Sequence, residues 1–222
     1  MNLNKKLSDI LDPNKIEVVK NPIEKSHGLP NECYLNNDYL EFEKEKIFKN
    51  NWTMIGVASS VPNPGDAKPF NLLGIPILIV RNKENEVKVF HNVCSHRGFK
   101  LVDQECKLKN VIRCPYHSWS YDFNGKLTVT PHIGGLGKHE VEGFDKNNSN
   151  LKEIKSNIWM DLIFININSN AKPFEDFIKP LEDRWSKFIS KKDQKLIRHS
   201  TDNGYFNMTV NSCLLYTSDA AD

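Results

Sequence analysis

The chain has 222 residues, with 30 Lys+Arg against 28 Asp+Glu and a formal net charge of +2. That length holds one or two domains with a real core, and the near-neutral balance leaves no electrostatic footprint for nucleic acid or an anionic membrane. No apolar run follows Met1–Lys6 and no later stretch approaches the roughly 20 apolar residues of a membrane span, while five cysteines without an export signal point to the cytoplasm and to ligand chemistry in place of disulfides.

Residues 1–36 read as a polar, weakly structured arm punctuated by Pro13, Pro22 and Pro30, with Cys33 a packed or semi-exposed thiol that has no partner at ligand spacing. Asn37 and Asp38 are capping residues for a helix over 37–51. Leu40, Ile47 and Phe48 form its apolar face, and Glu41, Lys44 and Glu45 belong to its solvated side. From Trp52 the pattern turns to β, and residues 52–168 form one predicted domain. Short branched or aromatic runs (52–60, 68–72, 75–81, 86–91, 111–113 and 119–123) alternate with Pro62-Asn63-Pro64-Gly65, Gly74 and Asn82–Asn85. That rhythm predicts a mainly β fold, a small antiparallel sandwich or barrel with flanking helices. Asn124-Gly125 predicts a type I′ hairpin, and 158–160 with 162–167 supply closing strands.

Within this domain lie Cys94-Ser95-His96-Arg97-Gly98 and Cys114-Pro115-Tyr116-His117-Ser118-Trp119, with seventeen residues between His96 and Cys114. Each stretch offers one thiolate and one imidazole. Cys94 and His96 project to one side of extended backbone, and Pro115 favours a tight loop after Cys114. Two soft sulfurs and two imidazoles can close a structural zinc site. The same four can hold a [2Fe–2S] cluster, cysteines on one iron and histidines on the other. Cys2His2 zinc fingers instead group their cysteines and place both histidines on a helix.

These two motifs, with Phe90-His91-Asn92-Val93 before them and Trp119–Gly125 after, resemble the Rieske signature, and more narrowly the large (α) subunit of Rieske non-haem iron oxygenases over about residues 29–190. The resemblance implies a Rieske [2Fe–2S] domain with Cys94, His96, Cys114 and His117 as ligands. It also implies terminal oxygenation: a small organic substrate hydroxylated or demethylated with O2, using electrons from an NAD(P)H-dependent reductase or ferredoxin. A mononuclear Fe(II) is expected only in the full-length protein, which would assemble as a homotrimer or hetero-oligomer. A stand-alone Rieske ferredoxin-type carrier is the alternative. The respiratory-chain branch carries one further cysteine per loop, joined as a disulfide. Phe99 and Tyr116 stand at those places, which implies a cluster near the bottom of the roughly −150 to +300 mV Rieske range. Ser118 occupies a place that glycine or alanine usually fills, and its hydroxyl is a candidate donor toward a cluster sulfide. Arg97 is assigned either to neutralising cluster charge or to tying the loops together. Trp119, Tyr121, His91 and Cys106 are read as structural.

Residues 131–150, rich in Gly and Asn, read as a long excursion that either covers a neighbouring site or lies exposed. Pro173 opens a predicted helix toward Ser190, carrying Phe174, Phe177, Ile178, Leu181, Trp185 and Phe188 on one side. The family resemblance makes 169–212 a linker helix and the start of an α+β catalytic domain that is otherwise missing. Asn207–Asn211 match its first strand loosely, and His199 and Asp202 are surface residues. Residues 213–222 read as a translated sequencing-adapter junction, so the native chain is expected to continue.

Overall fold

The computed structural model describes residues 6–186, and the chain divides into two compact units, one formed by the chain up to Trp52 with Asn166–Ala171, the other by Thr53–Ile165 with the chain from Lys172. The first unit is helical. Helix α1 spans Pro13–Val19, α2 Glu32–Leu35 and α3 Asn37–Glu43. The expected weakly structured arm therefore contains short helices, and its sequence carries the signal: Asp12 accepts the Asn14 N–H at 2.9 Å and Pro13 occupies the first turn, where a missing N–H costs nothing. The cap of α3 is Asn36, one residue before the expected pair, because its Oδ1 accepts both Asp38 N–H and Tyr39 N–H at 2.8 and 3.3 Å. α3 then widens into a π-helical turn over Lys44–Phe48. Burial, with Cys33 next, pushes the Tyr39 hydroxyl up to about 12. Buried Asn166 closes this unit, donating to the Lys49 and Asn51 carbonyls at 3.1 Å each and accepting the Ala171 N–H at 3.0 Å.

The second unit is mainly antiparallel β, as its alternating short strands predict, with a helix after the strands. The strands are β1 Thr53–Val57, β2 Asp66–Leu72, β3 Ile75–Arg81, β4 Val87–His91, β5 Cys106–Lys107, β6 Ile112–Arg113, β7 Ser120–Tyr121, β8 Leu127–Val129, β9 Lys155–Trp159 and β10 Leu162–Asn166. They form three sheets, ordered β1-β10-β9, β4-β3-β2-β5 and β6-β7-β8. Central strand β3 is buried on both faces from Ile77 to Val80, and its Leu78 and Val80 share a core with Phe90, Ile112, Tyr121 and Leu127.

Turn chemistry sets the registers. The β2–β3 turn places Leu73 and Gly74 at φ +52° and +93°, the two-residue turn whose twist suits a hairpin. The β9–β10 turn does the same with Met160 and Asp161 at φ +50° and +70°. No glycine marks it, but the Asp161 carboxylate holds it by accepting from the Ser59 N–H and Oγ–H at 3.0 and 2.6 Å. The Asn124-Gly125 turn is not type I′. Asp122 C=O accepts the Gly125 N–H at 3.0 Å while the Asp122 N–H reaches Lys126 C=O at 2.9 Å, and of these loop residues only Gly125 has positive φ, +80°. This is the three-residue loop with a left-handed last residue. Further along the hairpin a separate bulge makes Thr128 the extra residue of β8: Tyr121 pairs with Leu127 but Ser120 with Val129.

Helix α4, Phe174–Trp185, starts one residue after Pro173 and contains Pro180. Phe174 packs on Phe164 at 5.3 Å and Trp185 on Trp159 at 5.6 Å between ring centroids. Phe188, His199, Asp202, Asn207–Asn211 and 213–222 lie outside the described residues. Among the described residues no helix is long and apolar enough to cross a membrane.

Candidate metal-cluster site

Two loops on one plan face each other at the end of this core. The first follows β4; the second joins β6 to β7. In each, the cysteine N–H donates to the carbonyl five residues on, Cys94 to Phe99 and Cys114 to Trp119, both at 2.8 Å. The amide of the fifth loop residue donates back to the cysteine carbonyl, Gly98 to Cys94 at 2.9 Å and Ser118 to Cys114 at 3.0 Å. Closing so tight a loop needs a left-handed residue at that fifth place, and both have it: Gly98 at φ +69°, Ser118 at φ +58°. A left-handed conformation at this place suits glycine, so Ser118 carries backbone strain there. The Ser118 hydroxyl has no hydrogen-bond partner among the described residues.

The loops turn their cysteines inward and their histidines outward. Cys94 and Cys114 are each 2% exposed and belong to the core, whereas His96 and His117 are half-buried at the rim. The imidazoles meet edge to face, centroids 4.9 Å apart. Burial raises the Cys94 thiol pKa, and the neighbouring Cys114 thiol raises it further, against the lowering action of the Tyr121 hydroxyl and His96 amide. Burial, then the neighbouring His117 and Arg97, lowers that of His96. The His117 Nδ1 is buried and has no hydrogen-bond partner. A buried polar nitrogen without a partner is costly, and one left unpartnered on a ring that meets a second imidazole suits a metal ligand. Among the described residues no three His, Cys, Asp or Glu side chains gather where one ion could sit. Pairs of like donors, sulfurs inside and imidazoles outside, suit a two-centre [2Fe–2S] cluster better than one tetrahedral zinc.

Rings from both loops interleave around the histidines. Trp119 stacks on His96 at 4.6 Å and 8°, and Phe144 from the 131–150 excursion meets Trp119 at 5.6 Å. Phe99 and Tyr116 pack across the loop tips at 5.4 Å, a noncovalent contact where the respiratory branch has its disulfide. Arg97 is exposed and among the described residues makes no hydrogen bond or ion pair that would tie the loops. Half-buried His91 has its pKa lowered by burial and then by Lys152. Cys106 sits exposed in β5.

Sequence reasoning undervalued three residues. Tyr121, fully buried, brings its hydroxyl within 3.2 Å of Cys94 Sγ, 3.2 Å of the Ser95 amide and 2.9 Å of Ser95 Oγ. Burial drives that hydroxyl well above its ordinary pKa, so it keeps its proton as a donor. Ser95 Oγ in turn donates to the Ser149 carbonyl at 2.5 Å. Asn92 lies wholly buried beneath the first loop. Its Oδ1 accepts the Leu101 and Val102 amides at 3.2 and 3.0 Å, and its Nδ2 donates to Val102 C=O at 2.7 Å. The available signal was a polar residue in an otherwise apolar run, where burial demands partners.

Residues 51–141 match the family described as Rieske [2Fe-2S] domain. The chain is 34% identical over 168 residues to a carnitine monooxygenase oxygenase subunit of Acinetobacter pittii, covering 75% of this chain and 44% of that protein. It is 31% identical over 158 residues to a glycine betaine monooxygenase oxygenase subunit of Pseudomonas aeruginosa, covering 71% and 35%. A crystal structure of a quaternary ammonium Rieske monooxygenase in complex with γ-butyrobetaine superposes with a TM-score of 0.63 at 34% identity, over 71% of this chain and 44% of that one. The chain thus spans less than half the length of these relatives. The expected likeness to Rieske oxygenase α subunits is borne out: this chain carries a Rieske [2Fe–2S] domain and is similar to their oxygenase subunits.

Proposed function

We propose that this Rieske domain holds its [2Fe–2S] cluster through Cys94, His96, Cys114 and His117 and forms the electron-transfer part of a terminal oxygenase. The observation that carries the ligand assignment is the paired-loop geometry: buried thiols opposed to half-buried imidazoles, with His117 Nδ1 left unpartnered. A bound cluster supplies a one-electron store whose potential follows its ligands and their hydrogen bonds. The protein's part is to keep water from the sulfurs by core packing, to fix the His96 ring against Trp119, and to offer Tyr121 O–H to Cys94. Half-buried imidazoles give the electron an exit at the surface.

The whole reaction follows as part of the same proposal. An NAD(P)H-dependent reductase or ferredoxin delivers the electrons within a homotrimeric or hetero-oligomeric assembly. A mononuclear Fe(II), expected only in the full-length protein, would supply the O2 chemistry by which a small organic substrate would be hydroxylated or demethylated. Similarity to carnitine and glycine betaine monooxygenase oxygenase subunits favours a quaternary ammonium substrate. Anaerobically prepared protein should contain iron and acid-labile sulfide in equal amounts and give a rhombic EPR signal on dithionite reduction. Cys94→Ala or Cys114→Ala should abolish all three. Colourless protein holding stoichiometric zinc and no sulfide would overturn the assignment.

A further inference from the structure

The 131–150 excursion ends against the first loop, and one proton is claimed twice there. Ser95 Oγ has a single hydrogen and lies 2.5 Å from Ser149 C=O and 2.9 Å from Tyr121 OH. Tyr121 OH likewise has one hydrogen and two acceptors in reach, Ser95 Oγ and Cys94 Sγ at 3.2 Å. A carbonyl oxygen only accepts, so Ser149 takes the Ser95 proton. Ser95 Oγ is then left as an acceptor that competes with the sulfur for the Tyr121 proton. If Ser149 withdraws, Ser95 donates to Tyr121 OH, and Tyr121 gives its only proton to Cys94. Such hydrogen-bond chains polarise one another. The excursion is held in this position at several points: Thr130 Oγ1 donates to His139 C=O at 3.1 Å, Asn150 Oδ1 accepts the Leu127 N–H at 2.9 Å, and Phe144 meets Trp119.

We propose that Ser95 and the Ser149 carbonyl form a relay through which the docked 131–150 excursion weakens the Tyr121–Cys94 hydrogen bond and so lowers the reduction potential of the domain. Both are positioning residues, acting on Cys94 only through Tyr121. A donor to sulfur favours the more electron-rich state, so releasing the competition raises the potential. The proposal rests on Cys94 being a cluster ligand.

The test is a mediated dithionite titration of holoprotein, followed by visible absorbance and EPR, on wild type, Ser95→Ala, Phe144→Ala and the double variant. Ser95→Ala removes the competing acceptor and is expected to raise the reduction equilibrium constant about threefold, or about 28 mV on a scale where tenfold is 59 mV for one electron. Phe144→Ala loosens the excursion and should raise it in the wild-type background, with a clearly smaller shift when Ser95 is already alanine. Strictly additive shifts, or a fall in potential for Ser95→Ala, would overturn the relay. Should Ser95→Ala fail to fold, Ser95→Gly and Phe144→Ala complete the same cycle. A wild type free of iron and sulfide sinks the ligand assignment and the relay with it; a loaded wild type with an unmoved Ser95→Ala potential sinks the relay alone.

Discussion

Replacing Ser118 by glycine should make the domain more stable. Ser118 sits at φ +58°, and a side chain in the left-handed region costs roughly 1–2 kcal/mol. Glycine relieves that strain but gives back about 0.5–1 kcal/mol through the greater freedom of its unfolded chain. The net gain is about 0.5–1 kcal/mol, which for a domain of about 100 residues raises Tm by about 2–6 °C. The opposite loop supplies the reciprocal experiment. Gly98 holds the matching place at φ +69°, and a Cβ there would meet nothing nearer than Val93 Cγ1 at 4.0 Å. Gly98→Ala therefore isolates backbone strain from crowding and, with the same unfolded-chain offset, should lose about 0.5–1 kcal/mol. Thermal melts of holoprotein by circular dichroism, at equal cluster content, read both. Ser118→Ala keeps the strain and removes the hydroxyl, so it should leave Tm nearly unchanged. A reduction potential that moves equally in Ser118→Ala and Ser118→Gly would assign the hydroxyl a donor role toward the cluster. A Ser118→Gly protein less stable than wild type would refute the strain argument.

Asn92→Ala strands two amides and a carbonyl in the core and should cost about 2–4 kcal/mol, measured by urea denaturation. Gly125→Ala drives a Cβ to 2.5 Å from the Phe90 ring at φ +80°; with Phe90 fully buried, the loss should exceed about 2 kcal/mol. The pKa of His91 is lowered by burial and by Lys152, so the fold holds the neutral ring. Its contribution is intact above the unfolded value of about 6.5 and is lost as pH falls from there through the lower folded value. His91→Asn should flatten the stability profile across that interval, and an unchanged profile would show that His91 bears no titration load.

Much of the site was written locally. The spacing of Cys94, His96, Cys114 and His117, with Pro115 behind the second cysteine, marks a candidate ligand set and two tight loops because those features are properties of a few consecutive residues. Strands such as Ile75–Arg81 were equally legible from branched residues between turn signals. Local signals failed where two neighbours competed. Asn36 outcompeted Asn37 and Asp38 for the cap because its Oδ1 reaches two amides. Asn124-Gly125 took the three-residue form because the Asp122 amide and carbonyl close the wider loop, and Met160-Asp161 formed a primed turn held by the distant Ala58 and Ser59.

By itself, then, the sequence determined the proposed donors, the loops that carry them and the antiparallel character of the domain. Only the tertiary structure decided what surrounds the sulfur: Tyr121 lies 27 residues from Cys94, and Ser149 lies 54 from Ser95. Hydrogen bonds across such separations depend on sheet register and on where a long loop returns. Those are fixed by burial of the whole core and by no single stretch of chain.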